Sequence, residues 1–295
     1  MSDLRSAVRA LIATPIVSLV AIVSLALGIG ATTALFSVYD SLLLRELPVR
    51  EPDRLVLLSD GSAHPGWSNV LWEEIRRRPN LFDGAFAYNQ NPVLPFKVTH
   101  QGKTDVVDGL WASGRFFDVL GVKAVLGRMF RDADDRRGGG PDGPVAVISH
   151  AFWQRRFGGA TDVIGRSLAI ERVPFTIVGV APPEFFGLLV GRAFDVAVPI
   201  GTSTLVQGFS GMLDAPDANW LTIGARLKRG QTPQIAAAAL GAMEAQIPDA
   251  AQLLRSSHGA SRRHLELRSM TTGDSRERAP YQKPIALILA VAGFV

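Results

Sequence analysis

Side chains able to carry out chemistry are sparse and scattered in this sequence of 295 residues. None of the five histidines forms an H-E-x-x-H pattern or another close pair of ligands. They are His64, His100, His150, His258 and His264. The chain has no cysteine, which excludes disulfides, thiolate nucleophiles and cysteine-based zinc sites. These residue types therefore predict no metal site.

An acidic run in the middle of the chain suggests a calcium-binding loop but does not complete one. Asp132, Asp134 and Asp135 could supply the first ligands. Arg137 stands where such a loop needs glycine, and Gly143 stands where it needs a bidentate glutamate. We therefore interpret residues 132–144, DADDRRGGGPDGP, as an exposed, solvated loop.

Two glycine-containing segments also fail as catalytic or nucleotide-binding motifs. In residues 208–211, GFSG, the second glycine comes one residue too early for the G-x-S-x-G elbow of serine hydrolases. Residues 138–140, GGG, are not followed by G-K-[ST] and are no phosphate loop. The chain is therefore predicted to be no enzyme and to bind no cofactor, so that any ATP would be bound by a separate polypeptide.

The composition of the chain gives no sign of a nucleic-acid partner. The formal net charge is only +4, and acidic and basic residues alternate along most of the sequence. RNP-type aromatic motifs and zinc-finger spacings are both missing. Hydrophobic residues make up 47% and charged residues 20%, as in ordinary globular proteins. A membrane segment must therefore show itself by clustering.

Such a cluster lies near the start of the chain. No charged side chain occurs from Ala10 to Tyr39, and the densest apolar part is 16–38. A helix needs roughly 20 apolar residues to cross the hydrocarbon core of a bilayer. The alternatives are a buried core helix or a secretory signal, whose apolar region is usually about 7–15 residues and thus shorter. We predict an uncleaved transmembrane helix over 16–39.

Small residues recur along this predicted helix. They form overlapping small-xxx-small pairs, which allow another membrane helix to approach closely. The alternative is that glycine is simply common in membrane helices. The predicted helix-packing residues are Ala26, Gly28, Gly30, Thr32 and Ala34.

The two ends of the chain are predicted to lie at or in the membrane. Residues 1–15 carry Arg5 and Arg9 and could form a short interfacial helix or a frayed terminus. Charges on both sides of the span leave its orientation open. Residues 284–295 are uncharged and almost wholly apolar, but too few to span. They predict the start of a second transmembrane helix, the alternative being a core strand or helix.

The sequence between these segments predicts a domain of mixed strands and helices, class α+β. Ser68 is predicted to cap one helix, and Thr232 another, with an apolar face of Ile235, Ala239, Met243 and Ile247. Short helices are predicted over 115–120, ending at Gly121, and over 150–157. Strands are predicted over 55–58, 93–99, 104–110, 145–149, 167–170, 174–180, 195–199, 221–227 and 264–270, and those at 167–170 and 174–180 are predicted to form a hairpin.

Several segments, taken in order, resemble one family. Residues 25–58 resemble the first membrane helix and exit of MacB/FtsX-type ABC permeases. Residues 116–122, FFDVLGV, and 126–130, LGRMF, resemble the middle of the MacB-like periplasmic core domain. The closest resemblance is 145–159, VAVISHAFWQRRFGG, which continues through 163–166, VIGR, and 175–183, FTIVGVAPP. Residues 225–230, ARLKRG, also fit this family.

The resemblance implies a division of the chain. Residues 1–15 would be cytoplasmic or interfacial, 16–39 the first transmembrane helix and 40–280 a periplasmic core domain. Residues 281–295 would begin the second transmembrane helix, in which this sequence stops. The resemblance also implies a bacterial inner-membrane location with the N-terminus inside and the main domain outside.

The resemblance further implies a mechanical function. The chain would be a permease subunit, or a fragment of one, that relays ATPase-driven motion to the periplasm. Its implied partners are an ABC ATPase subunit, further permease helices or a second permease copy, and membrane lipid. The alternative is a stand-alone, membrane-anchored periplasmic binding or adaptor module. No residue selects a transported substrate.

Overall fold

The computed structural model of the protein describes residues 15–39, 46–62, 65–90, 95–189, 191–206, 211–247, 255–256, 259–262 and 264–274. The chain divides into two compact units. One runs from Glu46 to Arg276, and the other comprises Met1–Arg45 and Glu277–Val295. The predicted interfacial helix and the predicted second span lie outside the described residues.

Helix α1, Pro15–Tyr39, covers the apolar stretch with 25 residues. Its described apolar side chains are exposed, Ile16 by 77% and Leu27 by 68%. The side chains at 17, 21, 31, 32 and 34–39 lie outside the described residues. Judged on the described residues alone, the structure holds no helix that is both long and apolar enough to cross a membrane.

Twelve of the described strands form one mixed sheet, and β12 and β13 pair separately. The strands are β1 (Leu55–Ser59), β2 (Gly84–Asn89), β3 (Phe96–His100), β4 (Lys103–Val107), β5 (Gly109–Ala112), β6 (Leu126–Gly127), β7 (Val145–Ile148), β8 (Ser167–Ile170), β9 (Val173–Val180), β10 (Val196–Pro199), β11 (Thr222–Arg226), β12 (Arg255–Ser256), β13 (Gly259–Arg262) and β14 (Glu266–Ser269).

The strand order of the large sheet is β14-β1-β11-β2-β5-β10-β7-β9-β8-β3-β4, and β6 pairs with β9 beside this path. The pairs β5–β10 and β7–β9 are parallel, whereas β1 is antiparallel to both its neighbours. Strands β8 and β9 form the predicted hairpin. Parallel and antiparallel pairs in one sheet, with helices that do not strictly alternate with strands, give the predicted α+β class.

The remaining α-helices of the described domain are α2 (Asn69–Arg76), α3 (Phe116–Leu120), α4 (His150–Phe157) and α5 (Pro233–Glu244). Ser68 caps α2, because its hydroxyl accepts a hydrogen bond from the Leu71 amide at 3.3 Å. Thr232 caps α5 in the same way through the Ile235 amide. An N-cap side chain satisfies an amide that the helix itself leaves unpaired. Both predicted caps are confirmed.

The sheet is buried on both faces. Along β1, Val56 and Leu58 belong to one hydrophobic core, which also contains Trp72 of α2 and Leu240 of α5. Leu55 and Leu57 belong to a second core with the aromatic side chains of α3. Successive side chains of a strand point to opposite faces. Cover on both faces therefore explains why all of β1 is buried.

The predicted apolar face of α5 is partly wrong. Ile235 is 57% exposed, whereas Ala236 and Leu240 are buried together with the predicted Met243 and Ile247. Residues 236, 240, 243 and 247 follow the three- and four-residue spacing of a helix face. The stripe that contacts the sheet therefore begins one residue later than predicted, because a small alanine occupies its first position.

The predicted exposed loop is also partly wrong. Within residues 132–144, Asp134 is 2% exposed and Asp135 is 7% exposed. Asp134 accepts hydrogen bonds from the guanidinium of Arg128 at 2.6 Å and from the amide of Arg131 at 2.7 Å. Asp135 bonds to other segments of the chain. This polar segment therefore contains two buried carboxylates, and each of them accepts hydrogen bonds from other groups of the protein.

Candidate functional site

The first and last described segments of the 46–276 unit lie side by side. The Leu47 amide donates a hydrogen bond to the Thr271 carbonyl at 3.1 Å, and the Met270 amide donates to the Leu55 carbonyl at 2.9 Å. Leu47 and Met270 are buried, at 3% and 0% exposure. We call residues 46–54 and 269–274 the terminal junction. The two ends of this domain therefore lie next to each other.

Glu51 is the centre of a charged cluster in the terminal junction. Its carboxylate lies 2.5 Å from the guanidinium of Arg54, 3.7 Å from that of Arg229 and 3.9 Å from that of Arg226. Its φ of 42° lies in the left-handed region, which a residue with a side chain seldom adopts. The surrounding bonds hold this backbone conformation in place.

Arg226 is the most deeply buried cation of this cluster, with its side chain 1% exposed. Its Nε and Nη2 donate to the Val119 carbonyl at 3.1 and 2.8 Å, and its Nη1 donates to the Glu51 carbonyl at 2.8 Å. Burial lowers the pKa of this guanidinium, and the charges of Arg50 and Arg54 lower it further. Arg226 thus joins β11, helix α3 and the terminal junction through one planar group.

The end of α3 is fitted closely to the terminal junction. The Arg50 amide donates to the Leu120 carbonyl at 2.9 Å. Gly121 follows with φ 76°, the left-handed conformation that ends many helices. A Cβ at Gly121 would lie 2.6 Å from the Arg50 Cβ. Glycine is therefore required here for its backbone angle and also for space.

A second feature is an open, charged cleft of about 600 Å³ beside α2. Its charged lining residues are Glu73, Arg76, Arg77, Asp132, Asp135, Arg136 and Arg137. Several of them already pair: Arg76 lies 3.1 Å from Glu73, and Arg77 lies 2.8 Å from Glu74. We call this feature the charged cleft. Charges of both signs line it, so neither sign of ligand is selected by charge alone.

Asp135 is the buried carboxylate of the charged cleft. It accepts a hydrogen bond from the Gly201 amide at 2.7 Å and another from the Gly114 amide at 3.0 Å, and the guanidinium of Arg76 lies 3.7 Å away. Burial raises its pKa to about 7, although both amides and Arg76 oppose the shift. Asp135 therefore changes charge near neutral pH.

Asp132, Asp134 and Asp135 do not come together as a metal-ion site in the described structure. Asp134 is bonded to Arg128 and Arg131, and Asp135 faces backbone amides of two other segments. Over the described ranges no three His, Asp or Glu side chains form a group that could hold a metal ion.

The predicted helix-packing residues all fall on α1. Ala26, Gly28 and Gly30 are exposed there, and the side chains of Thr32 and Ala34 lie outside the described residues. A Cβ added at Gly30 would meet no atom within 4 Å among the described residues. Nothing in the described part of the chain tests these positions, so their packing role stays a prediction.

The sequence did not predict the roles of Arg226 in the terminal junction and of Asp135 in the charged cleft. Arg226 was placed in the predicted strand 221–227 and in the segment 225–230 that carries the resemblance, with no role of its own, and Asp135 was assigned to a solvated loop. Their partners are distant in sequence: Val119 is 107 residues from Arg226, and Gly201 is 66 residues from Asp135. The one local signal was Gly121 after the apolar residues of α3, which predicted the helix end.

The fold and its paired ends define a class, a compact α+β core domain placed between two flanking chain segments. The sequence pattern of the MacB-like periplasmic core domain matches residues 18–243. The chain belongs to the MacB-like periplasmic core domain family, which occurs in ABC-transporter permeases.

Comparison with a solved structure gives the same fold. The periplasmic region of MacB from Actinobacillus actinomycetemcomitans superimposes with a TM-score of 0.52. The match covers 78% of this chain and 93% of that region, at 12% sequence identity. Identity this low shows a shared fold and nothing more specific.

Two curated relatives match over a short segment. One is the probable syringafactin export ATP-binding/permease protein SyfD of Pseudomonas syringae pv. tomato, 28% identical over 91 residues. The other is a probable export ATP-binding/permease protein of Pseudomonas fluorescens, 32% identical over 91 residues. Each match covers 31% of this chain but only 13% of the relative. The chain therefore corresponds to a small part of these larger proteins.

Proposed function

We propose that this chain is the first membrane helix and the extracytoplasmic core of an ABC-type permease, and that it relays ATPase-driven motion across the bacterial inner membrane. The observation that carries the proposal is the terminal junction. Because Leu47 bonds to Thr271, movement of either flanking segment acts on the same edge of the sheet. A domain set between two membrane helices requires such an arrangement.

The proposal assigns α1 to the membrane, and it counts the full sequence of the helix, including the positions whose side chains lie outside the described residues. Its 25 residues correspond to about 37 Å of helix, against about 30 Å for the hydrocarbon core of a bilayer. No charged side chain lies between Ala10 and Tyr39. Helix geometry also satisfies the backbone polar groups without water. Residues 281–295 would begin the returning helix.

Two features of the chain suggest its partners, namely the absence of a phosphate-binding motif from this sequence and the small residues of α1. We assign ATP binding to an ABC ATPase partner, because the 295 residues of this sequence carry no phosphate-binding motif. Further permease helices or a second permease copy would pack on the small residues around Gly28 and Gly30, and lipid would cover the rest. Export is the activity named for both curated relatives.

The cysteine-free sequence allows a direct test of topology. We expect Arg229→Cys, at a side chain that is 87% exposed, to react with a membrane-impermeant maleimide in intact spheroplasts. Ser6→Cys, the matched control, should react only after lysis. Both variants should stay in the membrane pellet after a carbonate wash. Labelling of Ser6→Cys in intact spheroplasts, or release of the protein by carbonate, would contradict the proposed anchoring.

The relay itself predicts a change confined to the terminal junction. In membranes that hold the complete transport system, ATP with vanadate should alter the maleimide labelling rate of Glu46→Cys several-fold. Lys103→Cys is the control, because it is 71% exposed on β4, at the far edge of the sheet from β1 and β14. Equal responses at both positions, or no response at Glu46→Cys, would count against a relay through the junction.

A further inference from the structure

The short helix α3 is held by a charged side chain at each end. Before its first turn, the Gly114 amide donates to the buried carboxylate of Asp135. At its last turn, the Val119 carbonyl accepts from the buried guanidinium of Arg226. The first contact belongs to the charged cleft and the second to the terminal junction. Helix α3 therefore spans the distance between the two features.

The contacts at the cleft end leave little freedom. A Cβ at Gly114 would lie 2.6 Å from the Arg131 carbonyl oxygen, and one at Gly201 would lie 2.4 Å from the Arg136 carbonyl oxygen. Three backbone segments thus close around Asp135 with almost no space between them. The carboxylate is their shared hydrogen-bond acceptor, so the segments can separate only if it gives up an amide.

The contacts at the junction end are equally tight. The Arg50 amide bonds to the Leu120 carbonyl, and Gly121 lies against the Arg50 side chain. Phe116 and Phe117 are fully buried and pack edge to face on each other and on Phe185. A displacement of α3 would therefore reach Arg50 as a rigid movement, because the helix has no loose turn to absorb it.

We propose that Asp135 is a positioning residue that couples the charged cleft to the terminal junction through α3. The proposal rests on the proposed function for the meaning of the junction as a relay, but the coupling itself can be measured without transport. Gain or loss of a proton by Asp135 would change its hold on Gly114 and thereby the stability of the junction.

The charges that face Asp135 are few. Helix α2 contributes Arg76, at 3.7 Å, and Glu73. Its own segment contributes Asp132, Arg136 and Arg137, which line the same cleft. Residues 200–206 contribute no titratable side chain. Burial raises the pKa of Asp135 to about 7, although Arg76 and the amides of Gly114 and Gly201 act to lower it. Opening to water would return that pKa toward its ordinary value, 3.8, so opening becomes easier as the pH rises.

Amide hydrogen exchange of the full chain in detergent tests the coupling. We compare the amides of Leu47 and Arg50 at the junction, those of Gly114 and Gly201 at the cleft, and those of the central strand β9. After correction for intrinsic rates, junction exchange in the wild-type chain should be about tenfold faster at pH 8 than at pH 6. Asp135→Asn should abolish this ratio. Asp134→Asn, a neighbouring buried carboxylate without contact to α3, should retain it.

Each outcome of the exchange experiment either supports or overturns the coupling through α3. A pH ratio at Gly114 and Gly201 but none at Leu47 and Arg50 would show that Asp135 holds only the cleft, and would overturn the coupling while leaving the proposed function intact. Junction exchange no faster than that of β9 would also overturn it, because the junction would then open only with the whole domain. If Asp135→Asn does not fold, these wild-type comparisons still decide.

Discussion

Replacing Arg226 with methionine should lower the free energy of unfolding by about 3 kcal/mol. Methionine fills a similar volume but leaves the carbonyls of Val119 and Glu51 without their buried donors. Each unsatisfied buried acceptor costs about 1–3 kcal/mol, and loss of the buried charge offsets part of this. Urea unfolding followed by tryptophan fluorescence measures the change.

The matched control for this variant is Arg229→Met. Arg229 contacts the same glutamate at 3.7 Å, but its side chain is 87% exposed. Exposed ion pairs contribute little, so this change should stay within about 0.5 kcal/mol. A similar loss in both variants would mean that charge near Glu51 matters and the buried hydrogen bonds do not. An unchanged stability of Arg226→Met would show that the buried hydrogen bonds of Arg226 do not hold the terminal junction together.

Acidification from pH 8 to pH 5 should stabilise the domain by roughly 2–3 kcal/mol through Asp135. Its pKa is about 7 in the folded state and near 3.8 when unfolded, so the folded protein binds the proton more tightly. The stabilisation is complete below pH 3.8 and is lost as the pH rises through 7. Urea midpoints measured at several pH values between 5 and 8 test this sign.

Asp135→Asn removes the titrating group and should flatten that profile. The carboxylates of Glu74, Asp162 and Asp214 have pKa values lowered by arginine partners, so they titrate below this window. Asp134→Asn should keep the slope, because Asp135 remains in place. A slope that persists in Asp135→Asn would assign the proton to another group.

Local signals predicted much of the fold. Ser68 and Thr232 predicted the starts of two helices, because capping depends only on residues that are close in sequence. Gly121 predicted the end of α3 for the same reason. The two adjacent predicted strands, 167–170 and 174–180, predicted the β8–β9 hairpin, whose strands are neighbours in the chain. Each of these features depends on interactions within a few residues.

The organisation of the site could not be predicted in this way. Strand β2 was missed because its residues are buried on alternating faces of a two-sided core, so Ala85 to Tyr88 carry no polar alternation. Arg226 and Asp135 have ordinary polar contexts in sequence, and their roles arise only when Val119, Gly114 and Gly201 are brought to them. Burial of a charge is a tertiary property, which composition does not reveal.

The bond between Leu47 and Thr271 has a consequence for how such proteins diversify. A domain whose two ends meet can be exchanged as a cassette, since its removal or replacement leaves the spacing of the flanking segments unchanged. Loops at the far end of the sheet can then lengthen or acquire new surfaces without disturbing the terminal junction. The same flanking segments could in this way carry many different core domains.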